Sequence, residues 1–204
     1  MGLGRAEVTF TVLSPDEVPP GKRARWAVLG RSNVGKSSFL NSLVHPRTLF
    51  HTSSRPGKTW GLIGVEIEVG KHPNARLEVV DLPGFGYAKG HTGATRRTWD
   101  ELADALRDQS RDTGLMWVWL ADPVRKPEAE EAGLLRWLSG EPYIFVFTKA
   151  DQVKVKDREA VEAAWKDVIE PATEGPFWTS TLKGEGFEKV FTSARSFVRE
   201  VSQR

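Results

Sequence analysis

The sequence predicts an α/β fold: a mostly parallel, six-stranded sheet with one antiparallel edge strand and helices on both faces. Two observations lead there. Short apolar runs of four to eight residues alternate along the chain with segments of helical period, and such alternation implies right-handed crossovers between parallel strands. Two of the runs are separated only by the turn-forming stretch GKHPNA, which fits a hairpin and so an antiparallel pair.

Taken in order, residues 1–24, with Pro15, Pro19 and Pro20, read as an N-terminal arm with a candidate strand at Val8–Val12, and residues 25–204 as the main domain. Trp26–Leu29 is the first strand run, followed by a helix over Ser38–Val44 and the hairpin runs Leu62–Val69 and Leu77–Val80. Trp99, Leu102 and Leu106 place one apolar face on a helix over Thr98–Gln109. Leu115–Ala121 is a strand, Glu128–Leu138 a helix and Tyr143–Phe147 a strand. Val161, Ala164, Trp165 and Val168 give Asp157–Ile169 helical period, and Phe177–Ser180 is the last strand run. Phe187, Val190, Phe191, Ala194, Phe197, Val198 and Val201 mark the closing helix. Trp26, Trp99, Trp117, Trp119 and Trp165 fall on these apolar faces and are expected in the core.

Composition narrows the function classes. A chain of 204 residues suits one domain with a full core. The absence of cysteine excludes disulfides, thiol catalysis and cysteine-based zinc sites. The longest apolar run, Leu115–Ala121, is too short to span a bilayer, and MGLGRAEVTF lacks the apolar core of a signal peptide; a cytoplasmic protein is expected. The net charge of +2 conceals an asymmetry. No acid occurs between Glu17 and Glu66, where Lys22, Arg23, Arg25, Arg31, Lys36, Arg47, Arg55 and Lys58 all lie. Leu82–Trp99, also acid-free, carries Lys89, Arg96 and Arg97, whereas 100–170 holds sixteen acids against ten bases. One region is built to face phosphate, and a nucleic acid or other polyanion is the expected partner.

The sharpest motif is LGRSNVGKSSFLN, residues 29–41, between a strand run and a helix. Its G-x-x-x-x-G-K-S core makes Gly30, Arg31, Ser32, Asn33, Val34, Gly35, Lys36, Ser37 and Ser38 a candidate phosphate cradle, with backbone amides aimed at the ligand from a helix start. Lys36 would contact the outer phosphates and the Ser37 hydroxyl would ligate magnesium. FTKAD, residues 147–151, ends another strand run. There the Asp151 carboxylate suits guanine, which offers it two donors that adenine lacks. Lys149 would lie along the base, with Thr148 and Ala150 beside it. Between the two, SSRPGKT supplies Gly57, Lys58 and Thr59, the last as a second metal hydroxyl. DLPG supplies Asp81 for the metal, Leu82, Pro83, and the Gly84 amide for the γ-phosphate. Thr179, Ser180, Thr181 and Leu182 follow the last strand run and would give backbone contacts to the base. Lys36, Thr59 and Gly84 are thus the candidates for stabilising phosphoryl transfer.

GRSNVGKSSFLN, RPGKT, DLPGFGYAK, FTKAD and STLKGEG, in this order, resemble the EngB (YihA/YsxC) family of bacterial GTPases over roughly residues 25–200. The resemblance implies a Ras-like G domain holding GTP or GDP with Mg2+. It also implies a role in assembly of the large ribosomal subunit and in cell division. Where many G domains carry a water-orienting glutamine, this chain and the resembled family carry a hydrophobic residue, here Phe85, so slow hydrolysis is expected. In related GTPases an asparagine at the Asn33 position helps hold K+ against the phosphates; Arg31 is a second candidate, though a surface ion pair suits it too. Arg25, Trp60 and the run LIGVEI depart from the family's usual residues. A ribosomal precursor engaged through Arg47, Arg55, Lys58, Lys89, Arg96 and Arg97 is one reading, and a protein client with incidental hydrolysis is another. A small-molecule kinase is disfavoured by Asp151, and a monomer is expected.

Overall fold

The strand runs become strands, and their burial tells which faces are covered. The computed structural model describes residues 3–45, 49–50, 61–70, 75–85 and 93–204, with the backbone alone for 45 and 93–98. In chain order the elements are β1 (Gly4–Val12), β2 (Arg25–Gly30), α1 (Lys36–Leu43), β3 (Val44–His45), β4 (Leu62–Glu68), β5 (Arg76–Asp81), α2 (Gly93–Asp108), β6 (Leu115–Ala121), α3 (Ala129–Trp137), β7 (Tyr143–Phe147), α4 (Arg158–Ala164), α5 (Lys166–Ile169), β8 (Glu174–Trp178) and α6 (Phe187–Ser202). Every residue of β2 and β7 is buried, as two-sided parallel strands require.

The described strands form one sheet in the order β3-β1-β4-β5-β2-β6-β7-β8. β5, β2, β6, β7 and β8 run parallel, while β4 is antiparallel to both β5 and β1. The sheet therefore has eight strands and not the six predicted. The antiparallel strand predicted at the edge is interior, because β1 pairs along it from Ala6↔Ile67 to Val12↔Leu62. The candidate strand at Val8–Val12 is there as the second half of β1, which begins earlier, at Gly4; its first half alternates half-buried and exposed residues and shows no apolar run. The two-residue β3 is parallel to the start of β1, too short to leave a pattern.

Two cores lie on the two faces. On one, Trp26, Val28, Val65 and Val79 pack with Phe39 and Leu40 of α1 and with Val190, Phe191, Ala194 and Phe197 of α6. On the other, Ala27, Leu29, Trp117, Trp119, Phe145 and Phe147 pack with Leu102 and Leu106 of α2, Leu134 of α3, and Trp165 and Val168 beyond. The predicted core tryptophans are there, with Trp99 half-buried at the margin. The helix predicted over 157–169 is broken at Trp165, whose backbone (φ −103°, ψ 10°) separates α4 from α5. Its ring turns into the core against Phe145 and Phe147, at centroid distances of 5.7 and 5.9 Å.

Candidate functional site

All the parallel strands end on one edge of the sheet, where a doubly wound fold binds its ligands. β2 ends at Gly30 and the chain turns through Asn33, left-handed at φ 66°, and Gly35, at φ 99°, into the first residue of α1, Lys36. A side chain at φ 99° would be strained, so the turn needs its glycine. It aims the first amides of α1 outward, the arrangement that suits an anion.

The residues predicted to bind converge on this turn. Lys36 is buried and forms an ion pair with Asp81, the last residue of β5, itself 2% exposed. Burial pushes the Asp81 carboxyl above its usual range, against the pull of the Lys36 ammonium. Ser37, half-exposed, follows Lys36 on the first turn of α1, and Ser38 accepts a bond from Ser42 at its carbonyl. A buried cation and a buried carboxylate facing each other beside free-running amides fit a phosphate chain with a divalent cation.

After Asp81 the chain crosses the turn. The Leu82 amide donates to Val28 O (3.2 Å), the Phe85 amide to Gly30 O (3.2 Å), and the Ser32 amide to Phe85 O (3.2 Å). Gly84 lies so close that a Cβ there would sit 2.9 Å from Ser32 Oγ. Pro83 O accepts the Trp99 indole N–H (2.9 Å), and the Phe85 ring meets Trp99 edge-on at 6.5 Å. Arg31 points away from the cradle, paired with Glu128 (3.1 Å) and Glu131 (3.4 Å) at the start of α3. Burial alone would lower its pKa, but Glu131 and Glu128 together carry it above its ordinary value. The ion-pair alternative for Arg31 is the one the geometry favours.

On the other flank, Thr148 Oγ1 donates to Val34 O (2.6 Å) and to Ala121 O (3.2 Å). Lys149, left-handed at φ 51°, donates its Nζ to Asn33 O (2.9 Å) and pairs with Asp122 Oδ2 (2.6 Å). Ala150 donates its amide to Thr179 O (2.9 Å), and Ser180 Oγ donates to Asp151 Oδ1 (2.5 Å). Thr179 and Ser180 are buried, while Thr181 and Leu182 are exposed, Leu182 by 82%. The Asp151 carboxylate is thus aimed by Ser180, and its stem loop is tied to the glycine turn. Among the predicted residues, Gly57, Lys58 and Thr59, together with Arg47, Arg55 and Lys89, lie outside the described residues, as do the side chains of Arg96 and Arg97.

Sequence reasoning missed Asp122 and the Glu128–Glu131 pair. Asp122 directly follows the strand run Leu115–Ala121, so the strand-end rule that singled out Asp151 applied equally to it. Glu128 and Glu131 cap the start of α3 reciprocally, the Glu128 amide donating to Glu131 Oε2 (2.8 Å), but only the fold brings them to Arg31.

Residues 25–149 match a family described as 50S ribosome-binding GTPase. A relative described as "Probable GTP-binding protein EngB" from Bacillus velezensis is 35% identical over 155 residues, covering 75% of each chain. One of the same description from Syntrophotalea carbinolica is 38% identical over 192 residues, covering 93% of this chain and 89% of its own. A solved structure of "a probable GTP-binding protein engB" superposes with a TM-score of 0.61 at 24% identity, over 87% of this chain and 100% of that one, a likeness of fold.

Proposed function

From the premise that this chain belongs to the EngB family of GTP-binding proteins, we propose that it is a GTP-hydrolysing switch that acts in assembly of the large ribosomal subunit. Family membership supports guanine-nucleotide binding and GTP hydrolysis; the particle, the rate and the residue roles are our reading. The observation that carries it is the double tie of the FTKAD loop to the glycine turn. Lys149 and Thr148 bond the carbonyls of Asn33 and Val34, so base and phosphates are gripped by one connected frame.

In this reading Asp151, steadied by Ser180, accepts two donors from guanine while the 179–182 turn closes over the base edge. Lys36 and the amides of Asn33 and 35–37 hold the phosphates. Ser37, Thr59 and Asp81 would hold Mg2+, which when bound neutralises charge on the phosphates. Lys36 and Asp81, paired with each other here, are the groups that would face the phosphates and the metal respectively. The exposed Asn33 side chain would face a K+ ion at the same phosphates. Phe85 offers no polar group to orient water, so we expect slow turnover alone, roughly 10⁻⁴ to 10⁻² per second, the range of G proteins without a partner. The Gly84 amide, drawn toward a γ-phosphate, would carry Phe85 with it and loosen its bonds to Gly30 and Ser32, a readable change. A part in cell division would follow from the same switch.

Sedimentation with ribosomal subunits tests the proposal. Co-migration with the large subunit in a non-hydrolysable GTP analogue but not in GDP is expected, and Lys36→Ala should abolish the difference. Absence of co-migration in either state would overturn it. Asp151→Asn should erase the preference for GTP over ATP in calorimetry, and equal rates in K+ and Na+ would remove Asn33 from the hydrolytic step.

A further inference from the structure

Five large hydrophobic side chains are exposed among the described residues, and three of them, Val124, Val155 and Leu182, are 60, 76 and 82% exposed at the same end of the molecule. Each sits in the loop after one of three adjacent parallel strands: β6, β7 and β8. Each is also flanked by exposed cations, in the stretches Val124-Arg125-Lys126, Lys154-Val155-Lys156 and Leu182-Lys183. None of these five cations has a carboxylate within 4 Å among the ion pairs of the described residues.

Chance surface lysine does not account for this pattern well. The first two loops lie in the acid-rich stretch 100–170 and the third just beyond it, yet 123–127, 152–156 and 180–184 contain no acid. The nearby carboxylates are largely engaged: Asp122 by Lys149, Glu128 by Arg31, and Asp151 by Ser180. Asp157 and Glu185 remain exposed at the far ends of their loops. The loops are also held together, since Lys149–Asp122 joins the first to the second and Ser180–Asp151 joins the second to the third. Aliphatic tips amid unpaired cations suit a ligand that is polyanionic and also offers flat apolar faces, which describes RNA sugar and base surfaces better than an acidic peptide.

We propose that these three loops form an RNA-docking surface on the base side of the nucleotide cleft, insensitive to the γ-phosphate. It lies across the cleft from the 81–85 segment, so its contribution to RNA binding is the same in either nucleotide state, while the opposite side adds the state-dependent contacts without which the large subunit is not retained in sedimentation. The inference rests on the reading that the partner particle contains RNA, and adds a second surface to the loops predicted from charge.

The test is fluorescence anisotropy of a fluorescein-labelled RNA stem–loop with the GDP-loaded full chain. Five phosphate contacts predict a log–log salt slope of about −4. Lys154→Ala/Lys156→Ala should reduce that slope by about two, with fluorescent-GDP binding unchanged as the control for folding. Val124→Ser/Val155→Ser should weaken binding equally at every salt concentration and leave the slope alone. An unaltered slope in the lysine double variant would overturn the surface. So would RNA binding that needs the GTP analogue, or displacement of the RNA by polyglutamate at equal charge, which would point to a protein partner. If the stem–loop binds as expected while sedimentation with subunits fails, the surface stands and the ribosomal reading falls.

Discussion

Asp122 shows how far a single carboxylate can act without touching a ligand. It holds Lys149 by Oδ2 at 2.6 Å and caps its own loop by accepting the Val124 amide at Oδ1 (3.1 Å). Asp122→Ala should leave Lys149 bonded to Asn33 O alone and free to tilt from the base. A charge-assisted bond at this partly exposed site is worth about 1.5 kcal/mol, so calorimetry should find GDP bound about tenfold more weakly, with Asp122→Asn closer to the parent. At this scale the sequence was informative where function demands special residues in a fixed spacing. Gly35, Lys36 and Asp151 stood out by residue type and spacing, and the fold brings them to the same edge of the sheet. Asp122 and Glu131 act through other side chains, and such pairings depend on the fold.

Among the elements, α5 shows how a short helix is held. It has only four residues, below the length at which helices persist alone. The buried Tyr143 hydroxyl donates to Val168 O at 2.5 Å and secures it to β7. Tyr143→Phe should lower stability by about 1 kcal/mol in urea denaturation at neutral pH. Burial raises the Tyr143 pKa from 10.0 to about 12. A raised pKa means its contribution is complete below pH 10 and is lost as pH rises through about 12. The parent should therefore lose stability over that window more steeply than the Phe variant. Helix period alone merged α4 and α5, since Trp165 and Val168 both face the core. It could not register the backbone break at Trp165, where the ring packs against Phe145 and Phe147.

For the whole molecule, Arg25 is a buried tie between the N-terminal segment and the rest, beside the pairing of β1 with β4. Fully buried, it donates to Glu78 of β5 (2.6 Å) and Ser110 Oγ after α2 (2.9 Å), and lies 6.0 Å from the Phe10 ring of β1. Its NH1 and NH2 groups also reach Pro19 O at 3.5 and 3.4 Å. Arg25→Ala would leave the Glu78 carboxylate with the Thr9 hydroxyl alone (3.1 Å) and should cost about 3 kcal/mol, read as a lowered urea midpoint. Arg25→Met/Glu78→Leu, leaving neither charge unpaired, should recover much of that loss. The parallel half of the fold was legible because strands covered on both faces must be apolar throughout. The β1 side was legible only at Val8–Val12, because the first half of β1 carries Arg5 and Glu7 on a half-exposed strand and a buried arginine of β2 packs against β1 where an apolar anchor would have shown in the sequence.

The bonds from Thr148 and Lys149 to the carbonyls of Val34 and Asn33, with those joining 150–151 to 179–180, run between protein groups alone. Their conformational entropy is spent when the chain folds and not when a nucleotide arrives. In the proposed reading the guanine end of the cleft would then behave as a fixed jaw and the 81–85 end as the moving one. A particle clamped to the fixed jaw would keep its grip through a catalytic cycle, while one touching the moving jaw would be let go once per turnover.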